Sequence, residues 1–268
     1  MLTIVRELRK SANEDRPLVV AGGGELAGAL RKELARGGVA TAVRDESALG
    51  EAALVVYVLA GRAQDEDVAF LRKVNYAGTP LVAVVAGRQG EDVPDPPYVL
   101  AEHVVRARPG AGFPIEEIAR AIAHSLNEHA TPLAARLPVL RDAVVDRLIT
   151  RFSRQNAMIG VAVFVPGADM PVLTVNQIRL LMRIADAYGF ELDRERIPEV
   201  LGVIGTGFGF RAVARSLLGV VPVAGWAVKG GIAYGGTRAL GEAAKRYFET
   251  RAPVTRVPGD RAVFPRQI

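Results

Sequence analysis

The chain has 268 residues, of which 50% are hydrophobic and 24% charged, so it is long enough for two ordinary domains and too apolar for a disordered protein. With no cysteine, the sequence excludes disulfides, thiolate zinc sites and cysteine nucleophiles. The formal net charge of +5 comes mostly from arginine, and the 6% of aromatic residues are too few to stack on single-stranded bases, so we expect no specific nucleic-acid partner.

The first half of the chain alternates between short apolar runs and amphipathic segments. The predicted strands are Leu18–Ala21, Val39–Val43, Leu54–Leu59, Leu81–Val85 and His103–Arg106. The predicted helices are Glu25–Ala35, Asp65–Tyr76 and Ile115–Asn127. Strands that alternate with helices indicate a mostly parallel sheet covered on both faces, so we expect a three-layer, Rossmann-like or P-loop-like α/β domain over residues 1–130.

The second half shows helical periodicity only, which predicts an all-α domain over residues 131–250. Its predicted helices run from Pro138 to about Val163, from Thr174 to Gly189, from about Pro198 to Leu218 and from about Val223 to Phe248. Thr174 and Gln177 have the spacing of a capping box, which places a helix start at Thr174. Residues 251–268 contain three prolines and no periodicity, so we expect an extended or disordered tail.

A glycine-rich turn, Gly22, Gly23 and Gly24, separates the first strand from the first helix. Such a turn is suited to bind phosphate, because backbone amides and the helix dipole point at the anion. The P-loop pattern adds a lysine for the phosphates and a hydroxyl for magnesium. Here Gly23 to Gly28 supplies both glycines, but Ala29 and Leu30 stand where the lysine and the hydroxyl belong. The groups that neutralise charge in phosphoryl transfer are therefore missing.

The rest of this domain resembles a GTPase with its motifs replaced. The segment from Ala53 to Gly87 is similar to the strand, helix and strand that lead to the guanine-reading N-K-x-D, but those four positions read Ala86-Gly87-Arg88-Gln89. Arg106-Ala107-Arg108 resembles the S-A-K loop and keeps only its alanine. The segment from Val43 to Ala52 is too short for the switch regions. This resemblance implies a pseudo-GTPase with no catalytic residue, and we expect no enzymatic activity.

A second interpretation uses the same glycines. Gly22, Gly24 and Ala27 satisfy G-x-G-x-x-G/A, and Asp45 ends the second strand at about the distance of a ribose-binding acid. The turn thus has three readings: it binds nothing, it binds NAD or another nucleotide, or it binds another small anion. The three histidines, His103, His124 and His129, are scattered along the sequence, so we expect no metal site.

Small residues recur at every fourth position near the end of the chain. They are Ala227, Gly231, Gly235, Ala239 and Ala243, with Gly205 and Gly209 on the preceding predicted helix. Because each helical glycine costs about 1 kcal/mol relative to alanine, such a stripe predicts close packing of two helices in a hairpin. Arg211 and Arg215 oppose insertion of this hairpin into a bilayer, which leaves a peripheral domain and a membrane-embedded hairpin as alternatives.

Several segments of the second half resemble the helical domain of unknown function 697. They are Val165-Pro166-Gly167-Ala168-Asp169-Met170-Pro171, Thr174 to Gly189, Val221-Pro222-Val223-Ala224-Gly225 and Gly241 to Phe248. This domain occurs behind Era-type GTPases and in YcjF-like bacterial inner-membrane proteins. The resemblance implies a bacterial, cytoplasmic protein at the inner face of the cell membrane. Its expected partner is another protein or a second copy, bound through the helical domain, or else a membrane surface.

Overall fold

The computed structural model describes residues 16–87, 92–162, 170–191, 200, 202, 226–251 and 262–263. These described residues fall into two compact units, with the division between Val144 and Val145. The sequence predicts the domain boundary near residue 130. Residues 131–144, which are predicted to belong to the helical domain, instead lie in the first unit.

The first unit is built on a parallel five-stranded sheet. Its strands are β1 (Leu18–Gly22), β2 (Val43–Arg44), β3 (Leu54–Leu59), β4 (Leu81–Val85) and β5 (Val104–Arg106), in the order β2-β1-β3-β4-β5. All four pairings are parallel, which confirms the predicted α/β class. The second strand is shorter than predicted, because Ala40–Ala42 form a 3-10 turn and only Val43 and Arg44 pair with β1.

The first unit contains the three predicted helices, α1 (Glu25–Leu34), α2 (Asp65–Tyr76) and α3 (Ile115–Leu126). A fourth, α4 (Thr131–Arg136), was not predicted. Further 3-10 segments occupy Glu46–Glu51, Ala101–His103, Asn127–Ala130 and Pro138–Leu140. The bounds of α2, β3 and β4 agree with the predicted ones, since each element is a long apolar or amphipathic run closed by glycine or proline.

Apolar side chains cover both faces of the sheet. Val19 and Tyr57 lie in one core cluster with Leu71 and Val74 of α2. Side chains alternate along a strand, so Leu18 and the other buried residues of opposite parity face the second layer. There α1 contacts β1 and α3 contacts β4. The predicted helix–sheet–helix arrangement is therefore present.

The described part of the second unit is mainly helical. It contains α5 (Arg141–Ala162) from Val145 onward, α6 (Met170–Ala187), α7 (Trp226–Glu249) and a short parallel pair, β6 (Phe190–Glu191) with β7 (Ala262–Val263). The strand pair was not predicted, and β7 falls in the segment expected to be an extended or disordered tail. The capping box was also wrong: Thr174 lies inside α6, which begins at Met170. The predicted helix from Pro198 to Leu218 falls outside the described residues except at 200 and 202.

A buried polar network links the three helices that the structure describes in the second unit. Asn156 of α5 donates from Nδ2 to Oγ1 of Thr237 on α7 at 2.8 Å. Asn176 of α6 donates from its own Nδ2 to Oδ1 of Asn156 at 3.0 Å. Asn156 and Thr237 are completely buried. Since buried polar groups are costly unless they are paired, this network favours one alignment of the three helices over others.

The small residues that approach α5 closely are not those of the predicted stripe. A Cβ built on Gly230 would lie 2.7 Å from Cγ2 of Val161, and one on Gly241 would lie 2.6 Å from Cγ1 of Ile149. By contrast, Gly231 and Gly235 are exposed, and no described residue lies within 4 Å of a Cβ built on either.

Helical geometry accounts for this difference. Because an α-helix has 3.6 residues per turn, a repeat of four drifts around the helix, so the predicted stripe does not stay on the buried face. Ala239 of that stripe is exposed, and the side chain of Ala227 lies outside the described residues. The proposed partner glycines, Gly205 and Gly209, also lie outside them, so their packing stays a prediction.

Within the part of the chain that the structure describes, no helix is both long and apolar enough to cross a membrane.

Candidate functional site

The glycine turn lies where the direction of the strand order reverses. In the order β2-β1-β3-β4-β5, the connection after β1 leads to β2 on one side, and the connection after β3 leads to β4 on the other. Open parallel sheets bind ligands at the carboxyl ends of the strands beside such a switch point. Gly22 ends β1 at this edge, so the turn occupies the position where nucleotides bind in this class of fold.

Contact with β3 explains two of the three glycines. All three have positive φ, 79° for Gly22, 43° for Gly23 and 49° for Gly24. A Cβ on Gly22 would lie 2.5 Å from the carbonyl oxygen of Val58, and one on Gly23 would lie 3.0 Å from the same atom. The turn therefore requires glycine at both positions whether or not a ligand binds, because a side chain would collide with the backbone of β3.

The start of α1 carries a carboxylate where a phosphate would be expected. Gly24 is the N-cap residue and Glu25 is the first residue of the helix, with its side chain exposed. An acidic group in the first turn complements the positive end of the helix dipole. The same negative charge repels a phosphate bound at the turn.

Two residues stand where the P-loop pattern has its lysine and hydroxyl, and they differ in burial. Ala29 is exposed, so a longer side chain would fit there. Leu30 is completely buried in the core. A hydroxyl in place of Leu30 would therefore be oriented into the apolar layer between α1 and the sheet, away from a metal ion at the turn.

Asp45 has a local structural role. Its Oδ1 accepts a hydrogen bond from the backbone nitrogen of Ser47 at 3.1 Å and another from the Ser47 hydroxyl, which caps the 3-10 segment Glu46–Glu51. Its Oδ2 pairs with Nη1 of Arg31 on α1 at 3.2 Å. The Ser47 hydrogen bonds, together with Arg31, lower the pKa of the carboxyl. Both oxygens accept hydrogen bonds from the protein, and Oδ2, with one such partner, has a second lone pair for a ribose hydroxyl.

A hydrogen-bonded group beside the turn was not predicted from the sequence. Tyr57 of β3 donates from its hydroxyl to Oδ1 of Asp67 at 2.7 Å, and the backbone nitrogen of Gln64 donates to Oδ2 of the same carboxylate at 2.8 Å. The ring of Tyr57 stacks on Phe70 with 4.9 Å between centroids. A Cβ on Gly22 would lie 2.9 Å from Cζ of Tyr57, so this ring packs directly against the turn.

The environment of Tyr57 keeps its hydroxyl protonated. Burial, and then the hydrogen bond to Asp67, raise its pKa well above the ordinary value of 10.0. A phenol that is held neutral and donates to a carboxylate is a structural donor and a poor base. Two sequence features relate to this pair: the tyrosine within a buried strand and the acidic first turn of α2. Neither feature alone predicts the hydrogen bond between Tyr57 and Asp67.

The loops that would read a guanine are only partly described. Ala86 and Gly87 follow β4, whereas Arg88 and Gln89 lie outside the described residues. In the loop that resembles S-A-K, Arg106 donates to the carbonyl oxygen of Val93 at 2.7 Å and to Oδ1 of Asp95 at 2.6 Å. This arginine therefore anchors the neighbouring segment.

Two of the histidines lie close together at the amino ends of the strands, opposite the end that carries the glycine turn. Glu102 and His103 directly precede β5, and His124 lies in the last turn of α3. Oε1 of Glu102 is 4.0 Å from Nε2 of His103 and 3.9 Å from Nδ1 of His124. The rings of His103 and His124 make an edge contact with 5.5 Å between centroids. His103 and His124 are far apart in the sequence, but α3 runs back along the sheet to the amino end of β5 and brings them together. Their separation in the sequence is therefore no argument against a shared site.

The two histidines differ in exposure. The side chain of His103 is 12% exposed, and burial lowers its pKa, whereas the side chain of His124 is 35% exposed. Among the described residues, Nε2 of His103 is a buried nitrogen with no hydrogen-bond partner.

Comparison of the sequence with models of known protein families finds no match, and no curated protein matches it. Function must therefore be inferred from the residues themselves.

Proposed function

We propose that the chain is a non-enzymatic pseudo-GTPase unit joined to a helical interaction or membrane-adaptor domain. One observation carries the first half of this proposal. At the glycine turn, an acidic residue, Glu25, occupies the first helical position, and Leu30, at the position of the metal-binding hydroxyl, is buried in the core. The turn links a strand to a helix as a phosphate-binding turn does, but it lacks the charged groups that hold a phosphate.

The glycines have a structural function in this proposal. Gly22 and Gly23 let the turn pass against Val58, and Tyr57 and Asp67 fix the strand below it. Packing on β3 therefore explains the glycines by itself, and the turn needs no bound nucleotide to require them.

The second half of the proposal rests on the resemblance to the domain of unknown function 697. We propose that the helical domain binds another protein or a second copy at the cytoplasmic face of the cell membrane. We propose a peripheral adaptor over an embedded hairpin, because Arg211 and Arg215 oppose insertion of the predicted hairpin into a bilayer.

Nucleotide titration tests the pseudo-GTPase unit. In isothermal calorimetry with magnesium and GTP or GDP, we expect no binding heat at micromolar protein. A double variant, Glu25→Gln with Ala29→Lys, removes the repelling carboxylate and restores the lysine at an exposed position, so it should bind measurably better than the wild type. A dissociation constant tighter than about 10 μM for the wild type, which corresponds to about −7 kcal/mol, would overturn the proposal.

A separate measurement tests the adaptor half. Flotation with anionic vesicles and sedimentation velocity on the full chain distinguish a membrane surface from self-association. Vesicle binding that weakens with salt supports peripheral attachment. A monomer that neither floats nor binds another protein contradicts the adaptor role and leaves the nucleotide result unaffected.

The alternative function is binding of NAD or another nucleotide at the same turn, which the position of Gly22 and Gly24 at the switch point favours. If it holds, Asp45 must accept a hydrogen bond from a ribose hydroxyl beside its contacts to Arg31 and Ser47, and its charge must disfavour the 2′-phosphate of NADP. A thermal shift with NAD that Asp45→Ala abolishes, and no shift with NADP, would establish this alternative. Equal shifts with both cofactors would contradict the role of Asp45.

A further inference from the structure

We propose that Glu102, His103 and His124 form a binding site for a divalent transition-metal ion, with Zn²⁺ as the expected occupant. One ligand atom from each residue lies within 4.8 Å of the other two. Two imidazoles and one carboxylate form a ligand set that zinc uses when a fourth position is left for water or for another ligand. The site lies at the amino ends of the strands, whereas the glycine turn lies at their carboxyl ends, so the two sites share no residue.

The distances fit a site that closes around the metal ion. With zinc–ligand distances near 2.0–2.1 Å, neighbouring ligand atoms of a tetrahedral site lie about 3.4 Å apart. The two distances from Oε1 of Glu102 are 4.0 Å and 3.9 Å, and all three ligand atoms lie within 4.8 Å of one another. Coordination therefore requires the carboxylate of Glu102, which is 60% exposed, and the two imidazoles to move together by about 1 Å.

The buried nitrogen of His103 is the second observation that indicates a ligand. Nε2 is shielded from solvent, and among the described residues it has no hydrogen-bond partner. A buried polar atom left without a partner destabilises the folded state, so it needs an explanation. Coordination to a metal ion supplies one, because the lone pair of Nε2 would then bind the ion.

An ion bound by these three residues would connect two elements of the fold. Glu102 and His103 belong to the 3-10 segment before β5, and His124 to the end of α3, so the ion would join the start of the edge strand to the helix that follows it. Binding to the folded state alone stabilises a protein in proportion to the logarithm of the ligand concentration. The melting temperature should therefore rise with zinc concentration.

His129 provides a matched control. It is the third histidine of the chain, it is exposed, and it lies outside the cluster. Calorimetric titration of the metal-free full chain with ZnCl₂ should give one ion per chain for the wild type and for His129→Ala. The variants His124→Ala and Glu102→Gln should each weaken binding at least tenfold, by analogy with losses of 10–100-fold for supporting residues of metal sites.

A spectroscopic readout separates coordination from a purely structural effect. Co²⁺ bound to the wild type should show the visible absorption of a four-coordinate ion, and His124→Ala should lose it while keeping its melting temperature in metal-free buffer. The proposal is overturned if the wild type binds no zinc, or if His124→Ala and Glu102→Gln bind it as tightly as His129→Ala does.

Discussion

A Cβ atom placed on Gly241 of α7 would lie 2.6 Å from Cγ1 of Ile149 on α5. Ile149 is 1% exposed, so a shift of its side chain would disturb the packed core around it. Helices α5 and α7 therefore approach each other closely at Gly241, where a larger residue requires such a shift.

The first prediction contrasts this glycine with one of the predicted stripe. We expect Gly241→Ala to lower the free energy of unfolding by about 1–2 kcal/mol, because overpacking outweighs the gain in helix propensity. Gly235→Ala should raise it by up to about 1 kcal/mol, since Gly235 is exposed. Thermal melts of both variants test the contrast, and a stabilised Gly241→Ala would contradict the close approach.

The second prediction concerns the glycine turn. Gly22→Ala combines a positive φ with a contact to the Val58 carbonyl oxygen, so we expect a loss of more than about 2 kcal/mol. Gly28→Ala, inside α1 with no neighbour within 4 Å, should gain up to about 1 kcal/mol. Urea unfolding measures both. Equal effects at the two positions would show that packing on β3 does not set the requirement for glycine.

The third prediction tests the polar network of the second unit. Asn156→Ala removes a donor and an acceptor from a completely buried position, so we expect it to destabilise the protein by about 2–4 kcal/mol. Thr237→Val should cost about 1–3 kcal/mol by leaving Nδ2 of Asn156 unpaired. The double variant should lose less than the sum, with a coupling of about 0.5–3 kcal/mol. Additive losses would mean that the two side chains do not act together.

The fourth prediction is a dependence on pH. Because the folded state raises the pKa of Tyr57, the stability this side chain contributes is fully present below its unfolded pKa of 10.0 and is lost as the pH rises above that value. Tyr57→Phe removes the hydrogen bond to Asp67 and should cost about 1 kcal/mol at neutral pH.

Urea midpoints of the wild type and Tyr57→Phe, compared from about pH 8 to about pH 10.5, test the sign of this effect. The stability difference between the two proteins should shrink as the pH rises. A difference that stays constant or grows would contradict the raised pKa.

The sequence predicted the elements whose signal is local. Leu54–Leu59 and Leu81–Val85 are uninterrupted apolar runs, and α2 begins at an acidic turn and ends before Gly78, so their bounds could be read directly. The two-residue strands β6 and β7 could not be predicted, because each pairs only with a segment far away in the chain.

In the candidate sites too, features made of consecutive residues could be predicted, whereas features that depend on contacts between distant segments could not. The glycine turn was found because its residues are consecutive, whereas its contact with Val58 depends on the register between β1 and β3. The meeting of His103 and His124 depends on the length of α3 and its direction across the sheet. In the second unit, the four-residue repeat of small residues on α7 predicts a packed helix face. The buried positions of α7 instead follow the 3.6-residue helical turn.

The segment between residues 131 and 144 belongs structurally to the first unit, and this decides where that unit can be cut. The backbone nitrogen of Val39 donates to the carbonyl oxygen of Arg136 at 2.9 Å, and the guanidinium of Arg136 donates to the carbonyl oxygen of Arg16 at 2.6 Å. Leu133, Leu137 and Leu140 are at most 1% exposed. A gene fragment that stops at residue 130 would encode a sheet domain with an uncovered apolar patch and an unpaired amide at Val39. One that continues through Val144 keeps both contacts, so the portable module is longer than its sheet and its three flanking helices.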